Sequence, residues 1–114
     1  MKDYKFDLEC EGIKYSLVFN LNVMESIQEE YGTVQKWGEL TDGKAGEVNV
    51  KALIFGLTEM LNEGIEMENE TLDVKKSLLT KKQVGRIISK IGLENATNQL
   101  NTAIIESTKS EEKN

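Results

Sequence analysis

Histidine and proline are absent from this chain of 114 residues, and cysteine occurs once, as Cys10. Without histidine there is no Ser-His-Asp or Cys-His catalytic apparatus and no His-containing zinc site. A single cysteine allows no internal disulfide, and a lone thiol suits a reducing compartment. With proline missing, glycine is the strong breaker of secondary structure that remains. No apolar run approaches the roughly 18 residues of a membrane span, and Met1-Lys2-Asp3 does not open a secretory leader. A phosphate-cradling loop is missing too, because Gly43 and Gly46 are followed by no Gly-Lys-Ser/Thr element. What is abundant is acid. Fourteen Lys and Arg face twenty Asp and Glu, for a net charge of −6, which disfavours non-specific binding to nucleic acid or an anionic membrane. The length fits one small domain with a single core. These counts together predict a soluble, acidic, non-enzymatic domain with no metal or cofactor.

The first twenty residues alternate with period two. Tyr4, Phe6, Leu8 and Cys10 are apolar between Lys5, Asp7 and Glu9, and Ile13, Tyr15, Leu17 and Phe19 repeat the pattern. Glu11-Gly12 between the runs has the length of a two-residue hairpin loop. Folding there opposes Cys10 to Ile13, Leu8 to Tyr15, Phe6 to Leu17 and Tyr4 to Phe19, apolar against apolar at every step. A glutamate is a poor choice for the positive φ such a loop requires, which leaves a longer, bulged loop open. A two-stranded hairpin is marginal by itself, so it must lie on other elements.

From Asn20 onward the period becomes helical. Asn22 with Glu25 has capping-box spacing before Val23, Met24, Ile27 and Tyr31, and Gly32 can end that helix. A short helix carries Val34, Trp37 and Leu40, followed by a turn-rich loop over 41–46. Asn49 can cap a helix with the stripe Val50, Leu53, Ile54, Leu57 and Leu61, expected to stop at Gly64. Residues 66–79 read as loop. Thr80 can cap a helix with Val84, Ile87, Ile88 and Ile91, stopped by Gly92, and a last helix carries Leu93, Ala96, Leu100 and Ile104. The expectation is an α+β, mainly helical domain over 1–106, its N-terminal β-hairpin packed on about four helices. Residues 107–114, which hold no apolar side chain, are expected to form a disordered polar tail.

Several groups invite a functional reading. Glu63, Glu66, Glu68 and Glu70 lack the spacing and central glycine of a calcium loop and read as a solvated acidic segment. The helix-Gly92-helix order resembles a helix-turn-helix. Its second segment, Glu94 to Asn101, has amides but no Lys or Arg for DNA, and a helical hairpin closing the core is the preferred reading. Charge order is more telling: six acids and no base from Glu59 to Asp73, then six bases and no acid from Lys75 to Lys90. Such blocks suit a solvated surface, an internal loop-to-helix match, or contact between copies, so a homo-oligomer is expected. Trp37, Met60 and Met67 are candidate partner anchors, because Trp and Met are enriched at interfaces. For Trp37 the competing reading is a lid on the core.

The run Gly12-Ile13-Lys14-Tyr15-Ser16-Leu17-Val18-Phe19-Asn20-Leu21-Asn22-Val23-Met24-Glu25-Ser26-Ile27 resembles the tail assembly chaperones of long-tailed bacteriophages and related prophages. In them a strand of the form Gly-x-x-Tyr-x-Leu-x-Phe-Asn runs directly into a helix, here one that ends in Tyr31-Gly32. Leu53-Ile54-Phe55-Gly56-Leu57 and Leu79-Thr80-Lys81-Lys82-Gln83-Val84-Gly85 extend the likeness, which reaches about Ile105. The resemblance implies a non-enzymatic protein of the host cytoplasm, absent from the mature virion, that binds the tape measure protein and tail tube subunits. It transfers no binding residue by position. The alternatives are a DNA-binding regulator and a structural tail component. Members of the family are often made in two lengths by ribosomal frameshifting. Glu112-Lys113-Asn114 would encode the slippery heptamer A-AAA-AAC if its codons are GAA, AAA and AAC, so a longer second product is expected.

Overall fold

A computed structural model describes residues 5–44 and 46–112. Strands β1 (Lys5–Cys10) and β2 (Ile13–Val18) pair antiparallel, with Cys10 opposite Ile13, Leu8 opposite Tyr15 and Phe6 opposite Leu17. This is the register expected from the alternation; the Tyr4 pairing lies outside the described residues. The loop is the tight two-residue form, with Glu11 at φ 52° and Gly12 at φ 81°. Alternation fails at the end of β2. Val18, Phe19 and Asn20 are all buried, because β2 lies along a helix and its last residues are covered from both sides.

Five helices follow: α1 (Leu21–Tyr31), α2 (Val34–Thr41), α3 (Val50–Asn69), α4 (Lys81–Ile91) and α5 (Leu93–Glu112). The domain is α+β and mainly helical, as expected. The cap of α1 is Asn20, whose side chain accepts from the Val23 N–H at 3.2 Å. Asn22, the expected cap, sits inside the helix and sends its amide to Glu63 Oε2 at 3.0 Å. Thr33 and Asn49 cap α2 and α3 through the N–H groups of Lys36 and Ala52. Thr80 and Gln83 form a reciprocal capping box at the start of α4.

Two expected boundaries are overturned. Helix α3 does not stop at Gly64; it runs to Asn69. A Cβ at residue 64 would stand 2.7 Å from the Ser16 carbonyl oxygen, so this glycine gives the β2 backbone room to pack on a helix that continues past it. Glu63, Glu66 and Glu68 are therefore helical, and the loop begins only at Glu70. Likewise the polar tail expected from residue 107 is helical to Glu112. Ser107 is fully buried and returns its hydroxyl to the Ala103 carbonyl at 2.8 Å, which lets a polar side chain sit against the core. Lys113 and Asn114 lie outside the described residues.

The long helix α3 is the centre of the packing. Its buried Leu53, Leu57, Met60 and Leu61 meet Leu17 and Phe19 from the hairpin side, Val23 and Ile27 from α1, Val84 from α4, and Leu100 from α5 in one apolar cluster. Full burial of each such side chain is worth about 1.5–3 kcal/mol. Segment 70–80 is strapped to α3 by two asparagines. Asn62 bonds both the N–H and the C=O of Leu79, at 2.8 and 3.0 Å, and Asn69 does the same for Lys76 at 2.9 Å.

Candidate functional site: an apolar groove with a basic rim

Two of the sequence-derived anchors are core residues. Trp37 is 1% exposed, and its Nε1–H donates to the Ala52 carbonyl at 2.9 Å. Its ring rests on Gly56, where a Cβ would come within 2.9 Å of Cε2. Met60 is 0% exposed beneath the same helix. Neither presents a surface to a partner, because each fills the gap between α3 and its neighbours. Met67 is half-buried near the end of α3. Trp37 borders a shallow hollow of about 350 Å³ with Gly38 and Ile104, and none of the three lines the two larger hollows.

Those hollows lie elsewhere, between the end of α1, the first half of α3, and α4. One, of about 470 Å³, is bounded by Glu30, Tyr31, Phe55 and Lys81; its neighbour, of about 630 Å³, by Arg86, Ile88, Lys90 and Leu93. They share Val50, Ile54, Lys82 and Gly85, and so form one continuous groove. Its floor is apolar. Val50 is 50% and Leu93 42% exposed, and Ile54 and Phe55 are half-buried between them. The ring of Tyr31 meets Phe55 edge-on, with centroids 5.5 Å apart, and Lys81 Nζ stands 5.6 Å over the Phe55 ring. Partial burial, aided by the charge of Glu30, pushes the Tyr31 phenol above its ordinary pKa.

Gly85 opens the middle of the groove. It lies inside α4, where a glycine costs about 0.5–1 kcal/mol relative to alanine. A Cβ there would meet nothing closer than Ile54 Cδ1 at 3.7 Å, so close packing does not demand the glycine. The missing side chain leaves Ile54 accessible.

The basic block is divided by the fold. Lys76 turns inward to Glu68 at 2.9 Å, an internal link between the two charge blocks. That hydrogen bond and charge hold the Glu68 carboxyl below its ordinary pKa. Lys81, Lys82, Arg86 and Lys90 line the groove instead, with Lys51 from α3. Lys90 also pairs with Glu11 of the hairpin loop at 3.0 Å, which raises the lysine pKa. The spacing of Lys82, Arg86 and Lys90, four residues apart around a mid-helix glycine, was the sequence signal for this surface.

The other candidates resolve into structure. Glu63 accepts from the amides of Asn20 and Asn22 at 2.8 and 3.0 Å. Among the described residues no group of acidic, Cys or His side chains could hold a metal ion, and no helix is long and apolar enough to cross a membrane. On α5 the exposed positions Glu94, Asn95, Asn98, Thr102 and Ile105 carry no base. No protein-family model, curated protein or solved structure matches the chain. Fold and groove together describe a small, mainly helical α+β domain with an open apolar channel.

Proposed function

We propose that this protein is a non-enzymatic tail assembly chaperone of a long-tailed phage or prophage. It binds the tape measure protein, keeps it soluble, and helps recruit tail tube subunits before the tube polymerises. The observation that supports this reading is the channel between α1, α3 and α4, an open strip in which apolar side chains from α3, α4 and α5 adjoin one another. A long helical client exposes apolar stripes until its tube surrounds it, and a groove between helices is the surface that shields such a stripe. Many copies along one rod multiply a weak contact through effective concentration.

The test is co-expression with the gene products encoded beside it. A long helical neighbour that is insoluble alone should become soluble and co-purify, and mass spectrometry should find the chaperone missing from finished particles. Its presence in purified particles assigns it to the tail structure instead. Salt-dependent binding to DNA, with no effect on the neighbour, assigns it to regulation.

A further inference from the structure

The rim of the groove carries an instruction that its apolar floor does not. Five of the fourteen Lys and Arg line this one channel, in a protein of net charge −6. Charge of the minority sign has been gathered around exposed aliphatic carbon. Both long walls are helices, α3 and α4, whose backbone N–H and C=O groups beyond the first turns are bonded within the helix. A β-strand laid in the groove would find no ladder partners, whereas a helix brings its own bonds satisfied. At 11 residues, α4 gives a wall about 16 Å long, or three helical turns.

We infer that the groove receives an acidic amphipathic helix from another protein. Its aliphatic residues, spaced i, i+3, i+4, i+7, lie on Val50, Ile54 and the opening at Gly85, and its Glu and Asp flanks face Lys51, Lys82 and Arg86. Among the described residues that line the groove Glu30 is the acid, at the α1 end, while Glu11 is held by Lys90 at the other. A base on the occupant belongs beside Glu30 and sets its direction. The acidic hollow of this chain offers a second copy no such stripe, because Glu25, Glu59, Glu63 and Glu66 there are interleaved with Asn22, Ser26 and Asn62. Glu63 is already held by Asn20 and Asn22. The inference rests on the chaperone reading only for the identity of the partner; the chemistry of the occupant follows from the groove.

Fluorescence anisotropy with two labelled helical peptides of about 20 residues tests it. Both carry the same leucine stripe; one is flanked by Glu, the other by Lys. The acidic peptide should bind about ten-fold or more tighter at low salt, and its advantage should shrink as salt is added. Gly85→Leu fills the floor while improving helix propensity, so the variant should keep its circular dichroism and lose binding about ten-fold. Lys82→Glu with Arg86→Glu, at exposed positions, should reverse the preference and serves if Gly85→Leu fails to fold. Equal binding of the two peptides, or binding indifferent to both variants, overturns the inference. So does an oligomer of the free protein that Gly85→Leu dissolves, because the occupant is then a second copy. The same variants separate this inference from the chaperone reading. A neighbour that both variants still solubilise refutes the groove and leaves the chaperone. Peptide selectivity without any hold on the neighbour leaves the groove and refutes the chaperone.

Discussion

Helix interiors hold glycines of two kinds in this protein, and the contrast between them separates packing from function. Gly56 and Gly64 on α3 are sites of close approach: the Trp37 ring lies on the first and the Ser16 backbone on the second. Gly85 on α4 has open space instead, bounded only by Ile54. Gly38 inside α2 also has open space around it, with nothing within 4 Å, and lies away from the groove. All four carry the cost of a glycine in a helix. At the first two, that cost is offset by bringing α2 and β2 onto the core. At the third no packing gain is visible, and the consequence is an accessible apolar floor among cations. A packing glycine is marked by what a methyl group would touch; Gly85 is set apart from the equally open Gly38 by its place in the groove, over Ile54.

Alanine substitution should split the two kinds by sign. The largest effect belongs to Gly56→Ala, which drives the Trp37 ring from its slot and strains its bond to Ala52; a loss of about 3 kcal/mol is expected, with Gly64→Ala close behind. Urea unfolding measures both, and a loss below about 1 kcal/mol at either position would show that the core yields easily there. Gly85→Ala should act in the opposite direction and stabilise by about 0.5–1 kcal/mol, since the methyl meets no close neighbour and helix propensity improves. Destabilisation by Gly85→Ala would place a hidden packing role there and weaken the contrast.

The smallest expected effect concerns the charge blocks. The hydrogen bond and charge of Lys76 lower the Glu68 pKa in the folded state. The resulting stabilisation is present above the unfolded carboxylate value of about 4.3 and is lost as pH falls through the lower folded value. The pair is partly exposed, with side-chain exposures of 59% and 31%, so the contribution is under about 0.5 kcal/mol after solvent screening. Unfolding of Glu68→Gln compared with the parent between pH 6 and about pH 3 should show a difference that closes at the acidic end. A difference that persists there would mean the residue acts through packing.

Much of the fold was legible because several local signals agreed. The hairpin register followed from apolar pairs that coincide only when the chain folds at Glu11-Gly12, and that agreement outweighed an unfavourable glutamate in the loop. Asn49, Thr80, Gly32 and Gly92 marked helix ends by their own chemistry. Where one local signal admitted two answers, the sequence could not choose. Asn20 and Asn22 are both capable caps; both amides reach Glu63, more than forty residues away, and only in the folded chain is it Asn20 whose side-chain oxygen accepts from the Val23 N–H. Ser107 looked like the start of a tail because its hydroxyl is polar; the bond to Ala103 that makes it a core residue is invisible in composition.

The candidate site divides the same way. The sequence by itself determined the α+β class, the hairpin pairing, most helix caps, the lack of histidine chemistry, and the two blocks of opposite charge. Each of these depends on residue type and near-neighbour spacing, which the chain carries wherever it goes. Only the tertiary structure decided that Trp37 and Met60 are core, that α3 continues past Gly64, and that the basic block splits between Glu68 and an open groove. Those outcomes depend on which surfaces lie within a few ångströms of one another, a property of the packed helices that no window of sequence contains.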